Sequence, residues 1–259
     1  MKVSIVVPVF NEVHTILEIL RRIDATDLDK EIIVIDDGST DGTREVLASL
    51  SGITIILHEQ NFGKGAAIRT ALSYVTGEVV IIQDADLEYS PQDYPALLTP
   101  ILQGHADAVY GSRFLGGPHR VLFFWHSVAN SFLTFFSNML TNINLTDMET
   151  GFKVFRTSLL RNITLRSDRF GFEPEVTAKI ARLGCRIYEV PIAYHGRDYA
   201  AGKKITWRDG AAAVYHIVRY NLFPRQSKKR PVPHQVLQRT SNHNISLVWL
   251  AAAQSRKSA

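Results

Sequence analysis

Short runs of β-branched residues alternate with stretches of helical period along the first half of the chain. VSIVVPVF (Val3–Phe10) predicts a strand, and Glu12–Ile23 an amphipathic helix. EIIVIDD (Glu31–Asp37) predicts a second strand, with Ser39 or Thr40 positioned to cap the helix that follows. ITIILHE (Ile53–Glu59) is a third strand, Gly65–Val75 a helix, and EVVIIQD (Glu78–Asp84) a fourth strand. The next helix opens on Ser90 as cap with Pro91 at its first position, and ADAVYGSRF (Ala106–Phe114) closes the series. Strands that are apolar throughout, alternating with helices, predict an α/β fold: a Rossmann-like, mostly parallel sheet with helices on both faces.

The second half is less regular. From Val121 to Leu145, polar residues recur at 126/127, 130/131, 134, 137/138 and 141/142, opposite a face carrying Leu122, Trp125, Phe132, Phe136 and Met139. Such a stripe predicts either a helix with its apolar side on the core or one lying in a membrane interface. The aromatic run of Phe123, Phe124, Trp125, Phe132, Phe135 and Phe136 favours the interface. Further on come a helix near Glu173–Leu183, a strand CRIYEVPI (Cys185–Ile192) and a basic loop HGRDYAAGKK (His195–Lys204). A companion amphipathic helix covers about 206–222, with Trp207, Val214, Val218 and Leu222 on one side. From Pro224 the composition turns to Gln, Ser, Lys, Arg, Pro and Asn, so a catalytic domain of 1–223 is expected to precede a flexible, basic, polar tail of 224–259.

Composition narrows the setting. At 259 residues, 46% hydrophobic and 21% charged, the chain is an ordinary globular one, and its net charge of +4 suits anionic partners. One cysteine, Cys185, excludes an internal disulfide framework and fits a reducing compartment. The leading apolar run is too short for a signal peptide, and no uncharged run is long enough to span a bilayer. The expectation is a cytoplasmic protein, peripheral at the cytoplasmic face of the membrane. Nine histidines lack zinc spacing, and FGKG (Phe62–Gly65) lacks the spacing of a P-loop.

Chemistry gathers at the strand ends. Asn11-Glu12, Asp36-Asp37, Asp84-Ala85-Asp86 and Ser112-Arg113 each terminate a strand, where parallel sheets bind ligands. Asp84, Asp86 and Glu88 alternate, and carboxylates that close repel unless a cation lies among them. Mg²⁺ or Mn²⁺, holding one or two carboxylates plus phosphate oxygens and water, fits such a strand end. Asp36 and Asp37 suit either helix capping or acceptance of hydrogen bonds from a nucleobase.

Four ordered motifs then carry a resemblance. VVPVFNE (Val6–Glu12), VIDDGSTDGT (Val34–Thr43), the N-x-G-x-G-x-A pattern of Asn61–Ala67 and QDADLE (Gln83–Glu88) resemble the family 2 glycosyltransferases of GT-A fold. GSRF (Gly111–Phe114), DMETGFK (Asp147–Lys153) and the segment from Gly196 to Gly210 look like the dolichyl- or polyprenyl-phosphate mannosyltransferase branch. The resemblance covers roughly residues 1–223. It implies inverting, metal-dependent transfer of a hexose, mannose from GDP-mannose first, to a polyprenyl phosphate. Pro8, Phe10, Asn11, Glu12, Asp37, Asp84, Ala85 and Asp86 would bind the nucleotide sugar, and Asp84, Asp86 and Glu88 the Mg²⁺ or Mn²⁺. Arg113, Arg197, Lys203 and Lys204 would meet the acceptor phosphate, with Asp86, Arg113, Arg197 and Lys203 as the catalytic set. Glu173 and Glu175 are the reserve acid–base pair should the acceptor be a hydroxyl.

Expected partners are a nucleotide-sugar donor, a polyprenyl-phosphate acceptor, a membrane surface and a separate membrane subunit, with no nucleic acid. A UDP-glucose-dependent transferase, a family 2 enzyme with a hydroxyl acceptor and a non-catalytic nucleotide-binding scaffold are the alternatives. A phosphoacceptor receiver module is excluded, because its acidic pair would follow the first strand.

Overall fold

The computed structural model describes residues 1–116, 120, 123–197, 207–223 and 234–238. In chain order the elements are β1 (Val3–Val9), α1 (Ile16–Asp24), β2 (Lys30–Asp36), α2 (Thr43–Ala48), β3 (Thr54–His58), α3 (Lys64–Ala71) and β4 (Val79–Ile82). There follow α4 (Tyr94–Leu102), β5 (Ala108–Ser112), α5 (Phe124–Thr141), β6 (Lys153–Arg156), α6 (Thr157–Asn162), α7 (Phe172–Arg182), β7 (Ile187–Pro191), α8 (Trp207–Leu222) and β8 (His234–Gln238).

Eight strands form one sheet in the order β7-β5-β6-β4-β1-β2-β3-β8. β3, β2, β1 and β4 run parallel, as expected from their unbroken apolar character. β6 breaks the pattern: it runs antiparallel between β4 and β5. This four-residue strand was not anticipated, since it starts on the last residue of DMETGFK and is too short to show a period. β8 corrects a second expectation. Within the stretch read as a flexible tail, these five residues pair antiparallel with the edge strand β3.

Alternate strand residues feed opposite faces. Ile5, Val7 and Val9 pack with Ile16, Ile19, Leu20 and Ile23 of α1 and with Leu97 and Ile101 of α4. Val6, Ile33 and Val80 face α3, α7 and α8 through Ala67, Ile68, Val176 and Ile217. Each such side chain contributes about 1.5–3 kcal/mol when fully buried. That burial, rather than helical propensity, holds α2 and α6, which at six residues each are too short to persist alone.

α5 turns its polar stripe inward. Leu133, Thr134 and Ser137 are buried, whereas Phe124, Trp125, Phe132, Phe135 and Met139 are 56–75% exposed. Of the two readings of this stripe, the one with its apolar side on the core is excluded, and the favoured one, with the aromatic side turned outward, agrees with this exposure. The inward polar groups serve the 145–148 loop: Thr134 Oγ1 accepts from Met148 N–H, and the Asn138 side chain bonds both Leu145 N–H and Leu145 C=O. Among the described residues, no helix is long and apolar enough to cross a membrane.

Candidate active site

The ends of β1 and β2 are stitched together by side chains. Asn11, at φ +53°, donates its N–H to Ser39 Oγ (2.9 Å) and accepts from Thr40 N–H at Oδ1 (2.8 Å). Glu12 N–H reaches Thr43 Oγ1 at 3.0 Å, and Val13 N–H reaches Asp41 at 3.1 Å. Ser39 and Thr40 thus tie two strand ends together and do not cap α2, which starts after Gly42 without a side-chain cap. Pro8, Phe10 and Asn11 remain partly exposed along this rim, with Glu12 buried behind them. Asp36, fully buried, accepts from Ser39 N–H and from Arg44 Nε at 2.6 Å. Asp37 accepts from His58 Nδ1 (2.7 Å), Phe62 N–H (3.0 Å) and Gly63 N–H (2.6 Å). Three donors on one carboxylate make Asp37 the anchor of the 61–63 turn. Gly63 is required there: its φ is +100°, and a Cβ would lie 2.3 Å from the Asp168 carbonyl.

β4 ends in the three carboxylates, and cations meet each of them. Lys64 Nζ lies 2.7 Å from Asp84 Oδ1 and 3.2 Å from Glu173 Oε1. Burial alone would lower the Lys64 pKa, but Asp84 and Glu173 outweigh it and raise it above the usual lysine value. Arg197, at the end of the described stretch after β7, puts Nη2 3.1 Å from Glu12 and 3.3 Å from Asp86, and its N–H donates to Glu88 at 2.8 Å. Glu88 also accepts from the Tyr194 hydroxyl at 3.0 Å. Leu87, at φ +65°, is the strained residue that turns the chain between Asp86 and Glu88.

These carboxylates fit a divalent cation in one respect and not in another. Burial, together with the charges of Asp84 and Glu88, pushes the Asp86 carboxyl up to about 7, a sign of unbalanced negative charge. However, no group of three or more His, Cys, Asp or Glu residues converges among the described residues, and Glu88 is turned toward Tyr194 and Arg197. The donor set therefore suits a metal held by two carboxylates and completed by a ligand's own oxygens.

Arg113, at the end of β5, is gripped by Asp147, whose Oδ2 accepts from Nε at 2.6 Å and whose Oδ1 accepts from Nη2 at 2.7 Å. Asn130 of α5 accepts from the same Nη2 at 3.0 Å, and the guanidinium lies over the Tyr194 ring, 5.3 Å from its centroid. Asp147 is itself steadied by Glu189, which accepts its N–H at 3.0 Å. Nη1 of Arg113 takes no part in these hydrogen bonds. A planar donor so fixed suits a phosphate oxygen.

The strand-end chemistry and the sheet order agree with the comparisons to known proteins. The model of the family described as "Glycosyl transferase family 2" matches residues 4–164. The chain belongs to glycosyltransferase family 2. Its fold is GT-A: solved structures of glucosyl-3-phosphoglycerate synthase from Mycobacterium tuberculosis superpose on it, the one with Mg²⁺ and UDP at a TM-score of 0.67 and 23% identity over 86% of this chain and 80% of that one. The undecaprenyl-phosphate mannosyltransferase of Micrococcus luteus is 29% identical over 87% of this chain and 96% of its own. The dodecaprenyl-phosphate galacturonate synthase of Rhizobium johnstonii is 26% identical over 78% of this chain and 62% of its own.

In this glycosyltransferase the predicted residues divide into those that meet and those that do not. Glu12, Asp86 and Glu88 meet on Arg197, while Asp84, whose charge Asp86 feels, is held by Lys64, with Ala85 buried between the two aspartates. Arg113 lies at the end of β5, beyond β6, bound to Asp147. Lys203 and Lys204 lie outside the described residues. The reserve pair separates: Glu173 faces Lys64, whereas Glu175 accepts the N–H groups of Arg166 and Ser167 and pairs with Lys179, so it serves the loop.

Lys64, Glu149 and Lys153 were missed. Lys64 sits in FGKG, which failed the P-loop test, and in the Asn61–Ala67 motif it occupies an unspecified position between the two glycines. Gly151 shows how tightly this region is assembled, because a Cβ there would lie 2.2 Å from Asp84 Oδ2. Lys153, fully buried, donates to the Met148 carbonyl (2.8 Å) and the Thr150 carbonyl and lies over the Tyr110 ring. Burial pulls its pKa down to about 8, and burial plus the charge of Glu173 pushes Glu149 up to about 8.

Proposed function

We propose that this glycosyltransferase moves a hexose from a nucleotide diphosphate to a polyprenyl phosphate with inversion, using Mg²⁺ or Mn²⁺, and that GDP-mannose is its donor. The observation that carries the reading is Arg113, a half-buried guanidinium whose Nη1 is left over from its bonds to Asp147 and Asn130, bonded to α5, whose outer face is aromatic. A phosphate handle and a lipid-compatible surface are thereby joined through one residue, Asn130. The names of the mannosyltransferase and galacturonate synthase relatives, both of them polyprenyl-phosphate enzymes, support the same acceptor class.

Asp84 and Asp86 would hold the metal, which when bound supplies charge neutralisation on the leaving diphosphate. The β1 and β2 rim of Pro8, Phe10, Asn11 and Glu12 would take the nucleoside, with Asp37 acting through the 61–63 turn that it holds. Arg113 orients the acceptor phosphate, whose second pKa of about 6 leaves it largely dianionic at neutral pH. One of its oxygens attacks the anomeric carbon, the bond to the diphosphate breaks, and no protein base is needed. Arg197 releases Asp86 and Glu12 and pairs with the diphosphate instead. The protein would act as a peripheral protein at the cytoplasmic face, with α5 against the bilayer.

The test is direct. Purified protein, a short polyprenyl phosphate and a panel of labelled GDP-mannose, UDP-glucose and UDP-GlcNAc should give a labelled lipid from GDP-mannose, dependent on the metal. Transfer from UDP-glucose alone would move the donor assignment and keep the rest. Transfer only to a free hydroxyl would overturn the acceptor and bring Glu173 forward as base.

A further inference from the structure

Two buried carboxylate oxygens behind the donor site have no hydrogen-bond partner: Oε1 of Glu149 and Oε2 of Glu173. A buried acceptor left unpaired is unusual in a folded protein and calls for a physical explanation. Other unpaired buried atoms occur singly, such as Asp36 Oδ2 and His216 Nδ1, but these two belong to residues that feel each other's charge. Both also adjoin Asp84. Glu173, 4% exposed, reaches Lys64, which grips Asp84, and the backbone two residues after Glu149 passes against Asp84 Oδ2.

We propose that Glu149 and Glu173 are the residues that read the transferred sugar, each accepting a hydrogen bond from one of its hydroxyls, and that the sugar is a neutral hexose and not a uronic acid. This rests on the donor site proposed above at Asp84 and Asp86. A carboxyl oxygen that carries no proton accepts, whether or not the group as a whole is ionised, and sugar hydroxyls are the donors that match the two unpaired oxygens. Lys153 fixes the frame by donating to the carbonyls on either side of Glu149, so the carboxylate is presented without spending the lysine on it.

Charge selects against acidic sugars. Asp147 is occupied by Arg113, Lys64 is shared between Asp84 and Glu173, and the Lys153 ammonium is spent on the Met148 and Thr150 carbonyls, so Glu149 has no ion-pair partner among the described residues. A sugar carboxylate entering this dry space would add an anion to an acidic surplus, whereas a hydroxymethyl group adds none. Among the relatives both kinds of sugar occur by name, mannose and galacturonate, so the choice has to lie in residues such as these.

Calorimetric titration in the presence of Mn²⁺ separates the possibilities. GDP, GDP-mannose, UDP, UDP-glucose and UDP-glucuronate would each be titrated into the full chain and into Glu149→Gln and Glu173→Gln. The bare nucleotides should bind all three proteins alike, while each variant loses about tenfold to a hundredfold of the extra affinity that the sugar adds, the worth of one hydrogen bond to a charged group. Wild type should bind UDP-glucuronate more weakly than UDP-glucose, and each variant should narrow that gap. Equal sugar increments in wild type and variants, or equal affinity of wild type for the two UDP-sugars, would overturn the inference. Failure of wild type to bind any bare nucleotide would instead overturn the donor site itself, and this subsite with it. Should Glu173→Gln fail to fold for want of its Lys64 partner, Glu149→Gln carries the test, because Glu149 is in no ion pair.

Discussion

Lys64 Nζ stands between two acids, 2.7 Å from Asp84 Oδ1 and 3.2 Å from Glu173 Oε1, and so fastens the end of β4 to the first turn of α7. Removing the ammonium strands Glu173, 5% exposed, and Asp84, 21% exposed, at a cost of about 1–3 kcal/mol. Lys64→Met should therefore lower the unfolding free energy by that order in urea titration. Lys64→Arg, which keeps the charge, should recover most of it. An unchanged midpoint in Lys64→Met would mean that the ammonium balances nothing.

Asp86 links metal affinity to pH. Its carboxyl is held at about 7, against an ordinary value of 3.8, so the folded protein binds a proton there that the unfolded chain has already lost. The stability this proton confers is fully present below the ordinary value and is lost as pH rises through 7. A metal ion competes for the same oxygens. Mn²⁺ affinity should accordingly rise about tenfold per pH unit up to pH 7, with one proton released, and then level off. Isothermal titration in buffers of different ionisation enthalpy measures both quantities. A flat pH profile between 5 and 7 would exclude the coupling.

Arg197 holds Glu12 and Asp86 with its guanidinium and Glu88 through its N–H, where a donor complex would bring positive charge of its own. Arg197→Ala should leave Mn²⁺ binding as tight as before or tighter, since a competing cation is gone. The same change should lower kcat by about 10²–10³, the usual loss for one charge-stabilising donor. Parallel loss of metal affinity and turnover would make Arg197 a purely structural residue.

The two faces of α5 predict opposite outcomes. Phe132 and Phe135 are 56% and 67% exposed, whereas Phe136 packs against the core cluster. Replacing the exposed pair with serine should shift stability by no more than about 0.5 kcal/mol, yet reduce sedimentation with anionic lipid vesicles. Phe136→Ser should destabilise the fold instead. Unaltered vesicle binding by the doubly substituted protein would remove the membrane from the account.

The parallel half of the sheet was legible because β1 to β4 each carry a run of consecutive apolar residues that feeds both faces, and their polar ends fall on one edge. Asp84, Asp86 and Arg113 were readable for that reason. β6 was not, since the four residues KVFR are too few to carry a period. α5 misleads in a different way: its polar stripe looks like a solvent face, but Asn130, Thr134 and Asn138 are spent on Arg113 and on the 145–148 loop. Lys64 gains meaning only from partners twenty and more residues away, Asp84 and Glu173, which no local pattern links to it. For Asp36 and Asp37 the sequence offered helix capping or a nucleobase; that Asp37 also anchors the 61–63 turn, through His58, Phe62 and Gly63, depends on residues more than twenty positions away.

Metal-dependent transfer to a lipid phosphate through Asp84 and Asp86 stands or falls with one assay. Labelled mannose passed from GDP-mannose to a short polyprenyl phosphate is counted in wild type with Mg²⁺ or Mn²⁺, in excess EDTA, and in Asp86→Ala. A labelled lipid should form in the first case and in neither of the others. Undiminished transfer in EDTA or in Asp86→Ala would exclude a metal held by these two aspartates.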